Sequence, residues 1–431
     1  MFGFDAGIII GVLPYVEHQY DLSGFNLGLL VAVFSLGAAG GAIGIARAAN
    51  KYGRKKIMIV CAFLFCITTI GISYANGVVF LAIWRCAQGV CIGISSVVSP
   101  MYIAEITPAR DRGKMVSLYQ LSVTFGMLLS TISSFYFGKN DLTSLNWRFM
   151  FLSGLVLAAA NLVLLFFIPE SPRWLVLHSK NEEEANRIFL RINRYDEARS
   201  SQEIIEIRNS VSKDNPHSRV AFKVLFGKAF LSIVLIGIGI ALLSSFCGIN
   251  NVIPYMQKIF ILAGIQLTNG LLNAVFVQMV FFLSTFIGIA LIDRVGRRVL
   301  MLTGTGLMAI TLFLLAWVFQ SDSSSGVFIL VLVMLFIGSF GFTLGPVGFV
   351  LISEMFPNEI RSRAIGLTAA IGTLTTFCVM LISPYLLNIG AAFNFVLFGL
   401  FNIAGFIFCL KFLPETKGKT LEQMNEVWKK K

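Results

Sequence analysis

Acidic and basic side chains recur at a fixed spacing in two places along this 431-residue chain. In Glu105–Lys114 a glutamate is followed by Pro at +3, Arg at +7 and a further base at +9, and Glu354–Arg363 repeats the pattern 249 residues downstream. A glutamate at the end of one helix and an arginine at the start of the next can pair across the turn between them. The spacing predicts reversible ion pairing, which is made in one conformation and broken in another.

Two further motifs repeat in the same order and at nearly the same distance. Tyr52–Lys56 matches Val295–Arg298, each with a Gly-Arg turn, and Pro169–Ser171 matches Pro414–Thr416. Three motifs that recur at near-constant spacing indicate two homologous halves. The Gly-Arg turns supply bases that could meet the glutamate of the downstream motif in the same half.

The elements that position these motifs must suit an apolar medium. Hydrophobic residues make up 56% of the chain and charged ones 13%, against about 25% charged residues in soluble domains. Apolar runs of about 20 residues can cross a hydrocarbon core of about 30 Å, where the backbone must be helical. We therefore expect an all-α polytopic membrane protein. The seven cysteines lie in apolar runs without ligand-like spacing, so neither a metal site nor disulfides are expected.

Twelve spans are expected, six in each half. Their ranges are 2–16, 25–46, 57–75, 78–103, 115–137, 148–168, 229–262, 271–292, 299–320, 326–352, 364–388 and 392–412. Basic connections alternate with connections that are poor in Lys and Arg. The positive-inside rule therefore predicts cytoplasmic termini. This topology accounts for the net charge of +12, so no nucleic-acid partner is expected.

The expected organisation is a first bundle over 1–176, a cytoplasmic linker over 177–228, a second bundle over 229–413 and a tail over 414–431. In the linker, Glu182 begins an amphipathic pattern typical of a helix, and 202–211 shows a second. Neither of these patterns carries a catalytic constellation. No nucleophile–base cluster, phosphate loop or metal-ligand spacing in the chain suggests an enzyme. The first span would measure only about 22 Å. Because this would bury the amine of Met1, we expect the natural chain to begin upstream.

The motifs together resemble the sugar porter family of the major facilitator superfamily. The resemblance covers the whole chain and rests on the repeated loops and on Phe2–Asp5, Trp147–Arg148, Pro169–Leu175, Gly248–Asn250, Gly345–Glu354 and Pro414–Gly418. It implies two pseudo-symmetric six-helix bundles around a central cavity that is open to each side in turn. It also implies a monomer in the inner (plasma) membrane of a bacterium, with a sugar or polyol as substrate and a proton gradient in place of a cofactor.

We expect a gating role for the charged residues of the repeated loops and for those that the resemblance adds. They are Arg54, Arg85, Glu105, Arg112, Glu170, Asp293, Arg297, Glu354, Arg361 and Glu415. The alternative is that the bases only enforce topology. Topology alone requires neither the acids nor their fixed spacing, so gating is the favoured interpretation.

Asp5 is an ionisable group at membrane depth, and such groups are functional by default because they are otherwise costly. Family members that couple transport to protons resemble this chain in carrying Asp here. The resemblance implies Arg112 as its partner and proton coupling as their joint role. When the pair separates, a low dielectric favours the neutral form, and Asp5 takes up a proton. A static buried ion pair is the alternative.

The family pattern is less complete in the expected substrate pocket. Gln120, Asn250 and Phe2 match binding positions of the family, whereas Ser244 and Ser245 stand where a Gln-Gln pair is usual. Phe349 stands where the family has a Trp. Pro254 stands where the family has a Tyr, although the adjacent Tyr255 is a tyrosine. Because hydrogen bonds to hydroxyl groups give such sites their specificity, we expect a roomier, less polar pocket with weak glucose and xylose transport.

Three functions remain open on the sequence. The favoured one is proton-coupled symport of a sugar, a cyclitol or a similar small polar solute by alternating access. The second is a facilitator or antiporter for another small organic solute, in which Asp5 serves structure. The third is a non-transporting nutrient sensor, which the short tail after Pro414 disfavours.

Overall fold

The computed structural model describes residues 1–43, 45–108, 112–138, 144–179, 181–192, 196–197, 200–202, 204–205, 207–208, 225–227, 230–321, 326–357, 360–415 and 417. Within these ranges it describes all side chains except those at 46, 47, 112–114, 116, 144, 145, 293, 349, 353, 361 and 362.

Helices account for most of the described residues. The first half contains α1 (Phe2–Tyr20), α2 (Gly24–Ala42), α3 (Ile45–Tyr52), α4 (Arg54–Ser73), α5 (Val78–Ile106), α6 (Arg112–Phe137), α7 (Ser144–Phe167), α8 (Pro172–Trp174), a π-helical turn (Leu175–Ser179) and α9 (Glu182–Ile192). The second half contains α10 (Leu231–Phe246), α11 (Ile249–Val252), α12 (Met256–Leu262), α13 (Leu267–Val295), α14 (Arg297–Gln320), α15 (Gly326–Phe342), α16 (Leu344–Met355), α17 (Arg361–Ile389) and α18 (Ala391–Phe412).

Eleven helical segments among the described residues are long and apolar enough to cross a membrane, with α10–α11 and α15–α16 each counted once. The twelfth span is α1, which has nineteen residues and packs against α6 and α7. Glycines permit the close approach of α1 to α6: a Cβ on Gly3 would lie 1.8 Å from the carbonyl oxygen of Val123. The predicted helical membrane fold is confirmed, and α9 lies where the first amphipathic pattern predicted a helix. Most of the second, at 202–211, lies outside the described residues.

Some span boundaries were wrong. The seventh span is not one helix over 229–262 but three pieces, α10, α11 and α12. Gly248 has φ 98°, a left-handed conformation that favours glycine. Pro254 follows α11 and has no N–H to continue a helix. The second span ends at Ala42, where Ile43 adopts an extended conformation, and the tenth is interrupted at Thr343. Hydropathy misses these breaks because the residues around them are apolar.

The two halves meet through α2 against α17, α6 against α13, and α1 against α12. A Cβ on Gly28 would lie 2.0 Å from the carbonyl oxygen of Leu381, so α2 and α17 are in backbone contact. We call the end that carries the Arg54 and Arg297 turns the basic end, and the opposite end the base-poor end. Gly28 lies near the start of α2, so this contact closes the base-poor end.

Candidate functional site

A buried ion pair joins α1 to α5 in the first half. Arg85 Nη1 lies 2.9 Å from Asp5 Oδ1, and the two side chains are 3% and 2% exposed. The same nitrogen donates to Gln88 Oε1 at 3.2 Å. The guanidinium also lies over the rings of Phe34 and Phe151, at 4.8 and 5.7 Å. This arrangement shields both charges from water.

The pair is incompletely satisfied. Asp5 Oδ2 and Arg85 Nε are buried and have no hydrogen-bond partner among the described residues. A buried charge needs both pairing and full hydrogen bonding to recover its lost hydration. The pair therefore lacks the additional hydrogen bonds that would stabilise a purely structural buried ion pair.

Sequence reasoning missed Arg85 as the partner of Asp5. It assigned Arg112 instead, whose side chain lies outside the described residues. The signal was present, since Arg85 is a base inside an apolar run, and such a base must find an acid. Arg85 had been placed only among the gating residues.

The repeated motifs form matching clusters at the basic end, one in each half. Arg54 Nη2 lies 2.8 Å from Glu105 Oε1, and Arg297 Nη2 lies 2.9 Å from Glu354 Oε1. Each pair joins residues of the same half. The predicted gating residues Asp293 and Arg361 have side chains outside the described residues.

The second acid of each cluster receives backbone N–H groups. Glu170 Oε1 accepts from the backbone nitrogens of Arg54 and Lys55, at 2.9 and 3.1 Å. Glu415 accepts from those of Arg297 and Arg298, at 3.0 and 3.1 Å. A carboxylate at a helix N-terminus is stabilised by unpaired N–H groups and by the helix dipole. These two acids therefore cap α4 and α14.

The repeated pairs differ in burial, which gives a matched test of their energetics. The side chains of Arg54 and Glu105 are 6% and 10% exposed, whereas those of Arg297 and Glu354 are 10% and 32% exposed. Losing one partner of a buried pair costs about 3–5 kcal/mol. Solvent screening makes the cost smaller where one partner is partly exposed, as Glu354 is. We expect Glu105→Gln to lower the melting temperature of the purified protein clearly more than Glu354→Gln. Equal losses would contradict this assignment.

Three of the predicted pocket residues in the second half contact α17. Ser245 Oγ is 3.0 Å from the carbonyl oxygen of Gly372 and 3.1 Å from Thr376 Oγ1. Asn250 Nδ2 donates to Thr376 Oγ1 at 3.3 Å. The Tyr255 hydroxyl donates to the Met380 carbonyl at 2.8 Å. The break in the seventh span thus brings these polar groups together along one helix.

The other predicted pocket residues are dispersed. Phe2 and Gln120 are partly exposed on α1 and α6, and Phe2 lines a cavity of about 200 Å³ inside the first half. Ser244 is partly exposed; a Cβ on Gly348 would lie 3.5 Å from its hydroxyl. The side chain of Phe349 lies outside the described residues.

Gln278 on α13 was not predicted. It is fully buried, and neither amide atom has a hydrogen-bond partner among the described residues. Leu271 contacts the Gly138 region after α6, and the Phe282 ring lies 5.5 Å from that of Phe125 on α6. Gln278 shares their helical face, so its amide faces α6 where the halves meet. The sequence feature that could have pointed to Gln278 is a single amide side chain within an apolar run.

Comparison with known proteins agrees with this architecture. The family model described as "Sugar (and other) transporter" matches residues 1–428. The chain is 34% identical to the major myo-inositol transporter IolT of Bacillus subtilis, over 99% of this chain and 91% of the relative. It is 31% identical to the D-xylose-proton symporter of Escherichia coli, over 99% and 93%.

Two solved structures of a xylose transporter share the fold of this chain. The inward-open xylose transporter XylE from E. coli superimposes with a TM-score of 0.86 at 30% identity, covering 99% of this chain and 96% of that one. XylE bound to 6-bromo-6-deoxy-D-glucose gives 0.80 at 29% identity, with the same coverage. The chain is thus a multi-pass membrane transporter that belongs to the sugar porter family of the major facilitator superfamily.

Proposed function

We propose that this protein carries a sugar or a cyclitol across the membrane together with a proton, and that Asp5 is the proton-carrying group. The observation that carries the proposal is the buried, incompletely bonded Asp5–Arg85 pair. Relatives named as proton symporters for xylose and arabinose support it. A facilitator would need no ionisable pair at this depth.

The proton step follows from the charge balance of the pair. While Arg85 lies 2.9 Å from Asp5, its charge works in favour of the ionised carboxylate, because a neutral Asp5 would leave a buried cation uncompensated. When α1 and α5 separate the two groups, the low dielectric favours the neutral acid, and Asp5 binds a proton. A proton bound in the outward-facing state is then released when the inward-facing pairing forms again.

Solute binding would use the polar groups around the seventh-span break together with Gln120 of the first half. The Asn250–Thr376 bond is long, at 3.3 Å, so a ring hydroxyl could replace it at little cost. The pocket lacks the Gln-Gln pair and the Trp that the resemblance implies. We therefore expect glucose and xylose to be poorer substrates than a cyclitol such as myo-inositol.

A counterflow screen in proteoliposomes tests the substrate. Vesicles loaded with unlabelled myo-inositol, arabinose, xylose or glucose would be diluted into the same labelled solute, and transient uptake measured against empty vesicles. We expect counterflow with myo-inositol and slower counterflow with glucose and xylose. The absence of counterflow with all four solutes would exclude the proposed substrate class.

We further propose that the basic end faces the cytoplasm of a bacterial cell, that both termini lie there, and that one chain is the working unit. The bases of the Arg54 and Arg297 turns support this orientation through the positive-inside rule. The inward-open likeness supports it as well, because the base-poor end is then the closed outer side.

An ion pair between the halves would stabilise this outer closure. Lys258 Nζ on α12 lies 2.9 Å from Glu17 Oε1 on α1, with the side chains 16% and 31% exposed. Among the described side chains it is the ion pair that joins the two halves. The pair must break when the outer side opens. It therefore stabilises the inward-facing state.

Lys258→Gln should shift the protein toward the outward-facing state. A partly exposed pair is worth about 1 kcal/mol, so we expect a roughly fivefold faster external alkylation of a reporter, Leu271→Cys, in a background without native cysteines. Leu271 is buried in the closed outer contact. The charge exchange Glu17→Lys with Lys258→Glu should bring the rate back toward that of the parent. Equal rates in all three proteins would show that the pair does not contribute to closure.

A further inference from the structure

The break in the seventh span leaves backbone groups that the helix itself does not satisfy. The N–H groups of Asn251 and Val252 both donate to the Gly248 carbonyl, at 3.1 and 2.9 Å. The Cys247 carbonyl, which Asn251 would reach in a regular helix, instead accepts from the side chain of Asn402 on α18 at 2.8 Å. A distant helix therefore supplies the bond that the break removes.

Side chains from one face of α18 hydrogen-bond to residues at this break. Asn402 Nδ2 also donates to the Phe398 carbonyl at 2.8 Å. Asn394 and Asn251 exchange two amide hydrogen bonds, at 3.0 and 3.1 Å. The three asparagines are fully buried. Asn394, Phe398 and Asn402 are spaced four apart and so share one helix face.

Gly248 allows the contact with α18 to be close. A Cβ at this position would lie 3.2 Å from the Cβ of Phe398, and the glycine has φ 98°. Both features disfavour any other residue there. Consecutive side chains of α11 then face different helices: Asn250 bonds Thr376 on α17, and Asn251 bonds Asn394 on α18.

We propose that Asn251, Asn394 and Asn402 are positioning residues that lock the break and so fix the orientation of Asn250 toward the solute. The locking rests on the contacts alone, whereas the effect on the solute rests on the proposed transport function. The three side chains are fully buried, so their role is to position other groups. Asn402 acts through the Cys247 carbonyl before α11, and Asn394 acts through the side chain of Asn251.

The amide group is specifically required at 402. Both partners of Asn402 Nδ2 are carbonyl oxygens, so an aspartate would place a carboxylate against them. At 394 an aspartate could still accept from Asn251 but could not donate to it. We expect Asn402→Asp to be more disruptive than Asn394→Asp.

Hydrogen exchange of the purified protein tests the locking without any solute. Asn394→Leu should speed amide exchange in residues 247–256 at least tenfold, because the Asn251 amide is left buried without a partner. In the double variant Asn251→Leu/Asn394→Leu no unpaired amide remains, so its exchange should lie closer to that of the wild type than that of either single variant. Phe393→Leu, an exposed position on α18, is the control and should change nothing. Unchanged exchange in Asn394→Leu, or additive effects in the double variant, would overturn the locking.

Counterflow with labelled myo-inositol and xylose tests the effect on the solute. Asn394→Leu should raise the half-saturation concentration at least tenfold with the maximal rate within threefold of the wild type. Faster amide exchange with an unchanged half-saturation concentration would show that Asn394 stabilises the break but does not position Asn250 for the solute. If neither solute is moved, whichever of arabinose and glucose shows counterflow takes their place. If the wild-type protein moves none of the four solutes, the proposed function fails, and the exchange data still decide the locking.

Discussion

Asp5→Asn abolishes accumulation of solute against its gradient and leaves counterflow measurable, if Asp5 carries the coupled proton. Asparagine keeps the shape of the side chain and can still accept a hydrogen bond from Arg85, but it neither binds nor releases a proton. The accumulation ratio under an imposed pH gradient should fall to about one. Counterflow exchanges solute for solute and needs no net proton movement, so it should continue.

The control for this experiment lies on the same helix. Glu17 is also an α1 carboxylate, but it is 31% exposed and pairs with Lys258 at the base-poor end. Glu17→Gln should retain accumulation under the same pH gradient. Accumulation that persists in Asp5→Asn, or that is lost equally in both variants, would mean that Asp5 is not the coupling group.

The second large effect concerns the stability of the first bundle. Arg85→Met removes the cation beside Asp5. Asp5 must then be buried either as an unpaired carboxylate or as a neutral acid, so the loss of stability should grow as the pH is raised. Breaking a buried pair in this way costs about 3–5 kcal/mol, whereas replacing both partners is often nearly neutral. We expect Arg85→Met alone to lower the melting temperature strongly, and the double variant Asp5→Asn/Arg85→Met to recover most of the loss.

Arg148 provides a matched arginine for this comparison. Its guanidinium bonds the backbone carbonyls of Ser73 and Ala75, at 2.8 and 3.0 Å. Arg148→Met should also be destabilising, but its effect should simply add to that of Asp5→Asn, because distant sites without shared partners are independent. If Asp5→Asn restored the melting temperature of Arg148→Met as well as that of Arg85→Met, the Asp5–Arg85 coupling would not be specific.

The sequence predicted the parts of the fold that depend on composition and repetition. Apolar runs located the spans because the bilayer requires helices of a set length. The repeated Glu105 and Glu354 motifs marked two equivalent clusters, since equal spacing in homologous halves places equal residues at equal positions. These features depend on residue type and count, which a single sequence provides.

The parts that were missed depend on packing across the bundle. The interruption of the seventh span arises from the backbone at Gly248 and Pro254 and is completed by Asn402, 155 residues away along the chain. The pairing of Asp5 with Arg85 depends on how α1 sits against α5, which no local pattern specifies. The resemblance implied Arg112 as the partner of Asp5, and nothing in the repeated motifs pointed to Arg85.

The most direct test of proton-coupled transport is a flux measurement on proteoliposomes that contain a pH-sensitive dye. Myo-inositol, or whichever of the four solutes shows counterflow, is added outside with the membrane voltage clamped and no pH gradient. We predict that the lumen acidifies in step with solute entry in the wild type, and that in Asp5→Asn acidification is lost. Solute entry in the wild type without any acidification would contradict proton coupling.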